Sequence, residues 1–162
     1  MRRIWTPWRM KYILSKKPPG CLFCDKLGER NDRESYIVHR GSTCFIMLNA
    51  FPYNNGHLMI VPYAHVASLV QLQSPVLTDM MELAQKSILA LQKSMKPEGF
   101  NVGINIGKVA GAGIEEHVHL HVVPRWLGDT NFMPVLAETR LIPELLEETY
   151  QKLLDAGIAD LS

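Results

Sequence analysis

The chain has 162 residues, enough for one domain with a continuous core, and 47% of them are hydrophobic against 20% charged. A formal net charge of +1 gives no electrostatic footprint for nucleic acid, and no stretch approaches the ~20 apolar residues of a membrane span. Three cysteines, an odd count with two of them in "CLFC", speak against a secreted disulfide framework and for a reducing, cytoplasmic setting.

The N-terminus "MRRIWTPWRMKYIL" spreads its basic residues and lacks the uninterrupted apolar run of a signal peptide. It mixes aromatic with basic side chains, yet Pro7 breaks any amphipathic membrane helix there. The linker-like "SKKPPG" closes an arm over residues 1–20, and the rest of a single domain over 1–162 follows. Next come "SYIVHR", "TCFIMLNA" and "HLMIVP", short, rich in β-branched and aromatic residues, and bounded by Gly41, "PYNNG" and Pro62; they predict an antiparallel meander. Leu77, Met80, Met81, Ala84, Ile88, Leu91 and Met95 then recur at helical spacing, predicting a helix from Ser74 to Met95 with Ser74 as its cap, Pro75 in its first turn, and Pro97 and Gly99 beyond its end. Strand character returns in "FNVGINI" and "HVHLHVV", separated by the glycine-rich loop "GKVAGAG", and a last helix is expected from Pro143 to about Ala156, before Gly157. The order β-β-β-α-β-β-α predicts an α+β fold, with helices on one face of an antiparallel sheet.

Three of the six histidines fall in "HVHLHVV". On a strand, His117, His119 and His121 share one face at intervals of roughly 6–7 Å, while Val118, Leu120 and Val122 share the other and pack on the core. Each partly buried imidazole needs a hydrogen-bond or metal partner. A satisfied structural set is one reading; a three-histidine metal site is another, although alternate positions on a straight strand rarely converge on one ion. "CLFC" has the C-x₂-C spacing of half a tetrahedral site, with two buried thiols or a redox pair as alternatives, and Cys44 reads as a small buried hydrophobe inside a strand.

His-φ-His-φ-His-φ-φ, with φ apolar, spans His117 to Val123 and resembles the signature of the histidine triad (HIT) superfamily of nucleotide hydrolases and transferases. The resemblance covers most of the chain: "CFIMLNAFPYNNGHLMIVPYAH" is similar to the superfamily's nucleotide-binding hairpin and "GFNVGINIGKVAGAG" to the strand and loop before the triad. "WTPWRMKYI", "CLFC" and "PRWLGDTNFMPV" together resemble the bacterial diadenosine tetraphosphate phosphorylase branch.

The resemblance implies a HIT-like sheet with a nucleophile at His119, and at His121 a donor to a non-bridging oxygen or the leaving group. It implies ribose contact by Asn49, phosphate or ribose contact by Asn105, an apolar base clamp from Leu48 and its neighbours in "CFIMLN", and support of the triad by His57 through hydrogen bonding. Relatives carry glutamine or serine four residues before the first triad histidine; here that residue is Gly113, so backbone N–H groups of the loop, Lys108 or an acceptor phosphate take over its contact. Trp126 is expected to stack on a base or pack at an interface. The same resemblance implies structural zinc on Cys21, Cys24, His65 and His117, no organic cofactor, and a homodimer or tetramer. The expected activity is cleavage of diadenosine tetraphosphate, by phosphorolysis to ATP and ADP; hydrolysis of dinucleoside polyphosphates or adenosine phosphoramidates, and a non-enzymatic nucleotide sensor, are the alternatives.

Overall fold

The chain runs α1 (Leu22–Gly28), β1 (Ile37–Arg40), β2 (Cys44–Leu48), β3 (Leu58–Pro62), α2 (Ser74–Met95), β4 (Gly99–Ile104), β5 (Leu120–Arg125) and α3 (Leu146–Asp155). This is a computed structural model that describes residues 20–129, 144–158 and 160. The expected N-terminal arm, apart from Gly20, lies outside the described residues, as does Pro143 at the expected start of the last helix. No described helix is long and apolar enough to cross a membrane.

All neighbouring strands pair antiparallel, in the order β1-β2-β3-β5-β4. Every residue of β2 and β3 is buried, so their unbroken apolar runs belong to central strands covered on both faces. Cys44, Ile46, Leu48, Leu58, Ile60, Leu120 and Val122 point to a core shared with α2 and α3. Phe45, Met47, Met59 and Val61 point the other way, where Phe23 of α1 and Ile114 close a second, smaller core. The α+β fold and the face chosen by the two predicted helices are as the sequence implies. The third helix, α1, was not expected and covers the opposite face.

α2 keeps its predicted span, but the cap is Gln73, without a side-chain hydrogen bond. Ser74 instead opens the helix and Pro75 follows within the first turn, where a missing N–H costs nothing. β5 begins at Leu120 and runs to Arg125, later than the predicted strand: His117 lies on a bend and His119 precedes the ladder. Pro62, at the end of β3, has no N–H to extend the ladder, and its carbonyl accepts from His117 Nε2 at 2.9 Å. Val118 N–H is drawn to Val66 O at 2.7 Å.

Asp79 of α2 holds the turn between β1 and β2. One carboxylate oxygen accepts from Thr43 N–H at 2.8 Å, Thr43 Oγ1 at 2.6 Å and Cys44 N–H at 3.1 Å. Burial alone would raise its pKa, but the hydrogen bonds from Thr43, Cys44 and Ser42 outweigh burial and hold the carboxyl below its ordinary value. A lowered folded-state pKa adds stability above the unfolded-state value and loses it as pH falls through the folded-state one. Asp79→Asn is therefore expected to cost about 1–2 kcal/mol at neutral pH. Urea melts across pH should show the gap between wild type and variant closing in acid.

Candidate active site

The turn before β3 is built by Gly56. Its φ of 73° lies in the left-handed region that favours glycine, and a Cβ there would lie 2.8 Å from Met95 Sδ and 3.0 Å from Leu91 Cδ2, so glycine lets the turn press against α2 without displacing those side chains. The next residue, His57, is thereby sunk to 0% exposure. Its Nδ1 lies 3.0 Å from Tyr53 N–H and 3.3 Å from Asn49 Nδ2, and its Nε2 lies 2.9 Å from His121 Nδ1. A backbone N–H can only donate, so Nδ1 of His57 accepts and its proton sits on Nε2. That proton is donated to His121 Nδ1, which puts the proton of a neutral His121 on Nε2. The ring of Tyr53 lies 4.8 Å from that of His57 and 5.7 Å from that of His121.

His119 is fixed by similar logic. Its Nδ1 lies 2.9 Å from the carbonyl oxygen of His117, an acceptor only, so Nδ1 carries the proton and Nε2 the lone pair. Burial pushes its pKa below the ordinary histidine value; the bond to His117 O opposes this and the nearby His117 ring adds to it. The ring stays neutral near pH 7. His121 stands beside it, with ring centroids 4.7 Å apart and planes at 74°. A lone-pair nitrogen and an N–H donor on adjacent buried rings can attack an electrophilic centre and stabilise the charge that develops there.

Next to this pair is a second cluster. Cys21 caps the N-terminus of α1 and Cys24 lies in its first turn, so the two thiols converge. The donor atoms of Cys21, Cys24, His65 and His117 all lie within 4.8 Å of one another. The edges are 3.3 Å from Cys21 Sγ to His117 Nδ1, 3.4 Å from Cys24 Sγ to His65 Nδ1, 3.7 Å from Cys24 Sγ to His117 Nδ1 and 3.3 Å between the two Nδ1 atoms. A tetrahedral zinc with bonds of about 2.0–2.3 Å has edges of about 3.3–3.8 Å. The set fits a zinc ion in number, softness and spacing. His117 Nε2–H donates to Pro62 O, which turns the Nδ1 lone pair toward the cluster.

The remaining expected residues are placed less uniformly. Leu48 is a correction: it is 1% exposed in the core under α2, on the face opposite the histidines, while its neighbours Phe45 and Met47 lie on the histidine side. Asn49 stands beside His57, with Oδ1 accepting from Phe51 N–H at 2.9 Å. Asn105 reaches across the glycine loop to Gly111 O at 3.5 Å, and Gly113 and Lys108 lie in that loop. Trp126 follows β5, its backbone N–H donating to Asp129 Oδ2 at 3.2 Å. It lies one residue beyond the end of β5. Cys44 is buried on the α2 face, where burial pushes its thiol up to about 11, and it takes no part.

The HIT domain family model matches residues 30–126. The chain belongs to the HIT domain family. This HIT chain is 39% identical over 158 residues to an AP-4-A phosphorylase of Mycobacterium tuberculosis, covering 92% of this chain and 80% of that protein. It is 31% identical over 106 residues to an adenosine 5'-monophosphoramidase of Saccharomyces cerevisiae, covering 65% of this chain and 63% of that one. Among solved structures, a zinc-bound histidine triad family protein from Mycobacterium smegmatis superimposes with a TM-score of 0.68 at 26% identity, covering 85% of this chain and 92% of the other. Sequence reasoning about this HIT chain missed Phe23 and Tyr53, whose rings lie against the histidines. Only the apolar filling of "CLFC" hinted at the first, and Tyr53 sat inside a turn signal.

Proposed function

We propose that the chain is a nucleotidyl-transferring HIT enzyme that cleaves diadenosine tetraphosphate by phosphorolysis, through a covalent nucleotidyl intermediate on Nε2 of His119. The observation that carries the reading is the opposed tautomers of the two rings: His119 with its lone pair on Nε2, and His121 with its proton there. The 39% identity to an AP-4-A phosphorylase supports the choice of substrate.

In the first step Nε2 of His119 attacks the terminal α-phosphorus, a P–N bond forms, the P–O bond to the remaining phosphates breaks, and ATP leaves. His121 donates its N–H to the oxygens on which charge accumulates. His117 O holds the growing positive charge on the His119 ring through Nδ1–H. In the second step an oxygen of inorganic phosphate attacks the same phosphorus, the P–N bond breaks, and ADP leaves with the ring restored. Asn49 and Asn105 are assigned to ribose and phosphate, and loop backbone N–H groups near Gly113 to the contact a glutamine or serine makes in relatives. Cys21, Cys24, His65 and His117 would hold a zinc ion in a structural role, with two thiolate ligands that persist in a reducing compartment. The homodimer expected from the resemblance would extend the sheet at β4, an edge strand on which Val102 is 44% exposed.

His57→Ala should lower kcat by about 10–100-fold with little change in KM, because His121 then loses the partner that sets its proton. His57→Gln, whose amide can still donate, should lose less. Steady-state kinetics of the two variants check this. The reading itself is tested by incubating the protein with diadenosine tetraphosphate, with and without inorganic phosphate. Phosphate-dependent ATP and ADP support it. ATP and AMP without phosphate would make the enzyme a hydrolase, and binding without turnover would leave a sensor.

A further inference from the structure

Phe23 stands between the two cysteines of the metal cluster, at 0% exposure. Its ring is edge-on to two imidazoles: 5.3 Å from His117 with planes at 79°, and 4.9 Å from His119 at 62°. Phe45, Met59 and Ile114 back it from the small core, so the ring has little room to move.

The single described hydrogen bond of His119, from Nδ1–H to His117 O, favours one orientation of the imidazole, but as one contact it still lets the ring swing about that acceptor. Rotation of a histidine ring about its second side-chain torsion is broad and roughly two-fold, so packing must add to that bond to hold the plane narrowly. A flip would exchange Nδ1 for a carbon and turn Nε2 away from its direction of attack. The only aromatic rings in described contact with His119 are those of His121 and Phe23. Phe23 is anchored at both ends by metal ligands, Cys21 and Cys24, while His117 supplies both a ligand nitrogen and the carbonyl that His119 binds.

We propose that Phe23 is a positioning residue that couples the Cys21, Cys24, His65 and His117 centre to His119, holding the imidazole plane so that Nε2 faces the incoming phosphorus. The proposal rests on the reading of His119 as nucleophile. It also accounts for the location of α1: a helix of seven residues and its cap Cys21 together contribute two ligands and one ring, and the ring reaches the reacting group.

The test uses the metal-loaded full chain with Phe23→Leu and Phe23→Met, and with Leu22→Ala as control because Leu22 is 40% exposed on the same helix. Three quantities are read: metal per chain, the ¹⁵N signals of the His119 imidazole, and kcat and KM separately. Wild type should show a protonated Nδ1 and an unprotonated Nε2. The Phe23 variants should keep the metal, move His119 toward a mixed-tautomer pattern, and lose kcat by about tenfold with KM within about twofold, while the control matches wild type. Unchanged His119 signals in a metal-retaining variant overturn the proposal. So does loss of metal in both variants, which would make Phe23 scaffold for the centre and no more. Should the wild type turn over no nucleotide, the nitrogen signals still decide the positioning role, so the two failures are told apart.

Discussion

Replacing His119 with alanine is expected to lower kcat on diadenosine tetraphosphate by at least about 10⁴-fold, with nucleotide affinity changed by no more than a few-fold. Among the described residues, no group neighbouring His119 can take over the bond to phosphorus. His121 has Nδ1 engaged with His57 and its proton on Nε2, so it offers no lone pair in that direction. His117 directs Nδ1 into the cysteine cluster and Nε2 to Pro62 O. Cys44 lies across the sheet, with its thiol raised to about 11. The loss should exceed that of His57→Ala by a wide margin, since His57 acts only through His121. Turnover assays paired with equilibrium nucleotide binding separate a lost reaction from a lost site.

Removing the metal with a chelator is expected to lower the melting temperature by about 10 °C or more. The ion would join Cys21 to His117, which are 96 positions apart in sequence, and cross-linking a loop of that size stabilises a fold by about 4–5 kcal/mol in chain-entropy terms. Each kcal/mol corresponds to about 2–4 °C for a chain of this size. The same removal frees His117, whose carbonyl holds His119, so kcat should fall before the chain unfolds. Cys24→Ala should reproduce both effects, since it deletes one ligand at the rim while leaving the buried Cys21. Metal analysis with thermal melting provides the check, and a melting temperature unmoved by metal loss would remove the centre from the account.

The histidine spacing made most of this site readable. Two-residue periodicity in "HVHLHVV" puts His119 and His121 on one side, which survives although the ladder starts only at Leu120, while their roles came from the resemblance of that stretch to the HIT signature. What the periodicity could not supply was the break at Pro62, which bends His117 toward the cysteines. Leu48 was misplaced for a related reason. β2 is apolar on both faces, so alternation does not mark which residues face the histidines; the pairing of Leu48 with Leu58 decides it. α1 was invisible because it is two turns long and held by Phe23 in the small core, a tertiary contact without a local signal. The tautomers of His57 and His121 depend on Tyr53 N–H, a main-chain group that no side-chain pattern reveals.

The measurement that bears most directly on the central claim is isolation of the covalent intermediate. Wild-type protein is mixed with α-labelled diadenosine tetraphosphate without phosphate, quenched in base, and mapped by peptide mass. The account predicts a nucleotidyl group on His119, formed with release of ATP, stable until inorganic phosphate is added and then discharged as ADP. Phosphate-dependent turnover in which no adduct forms at any time, and which persists in His119→Ala, would contradict it.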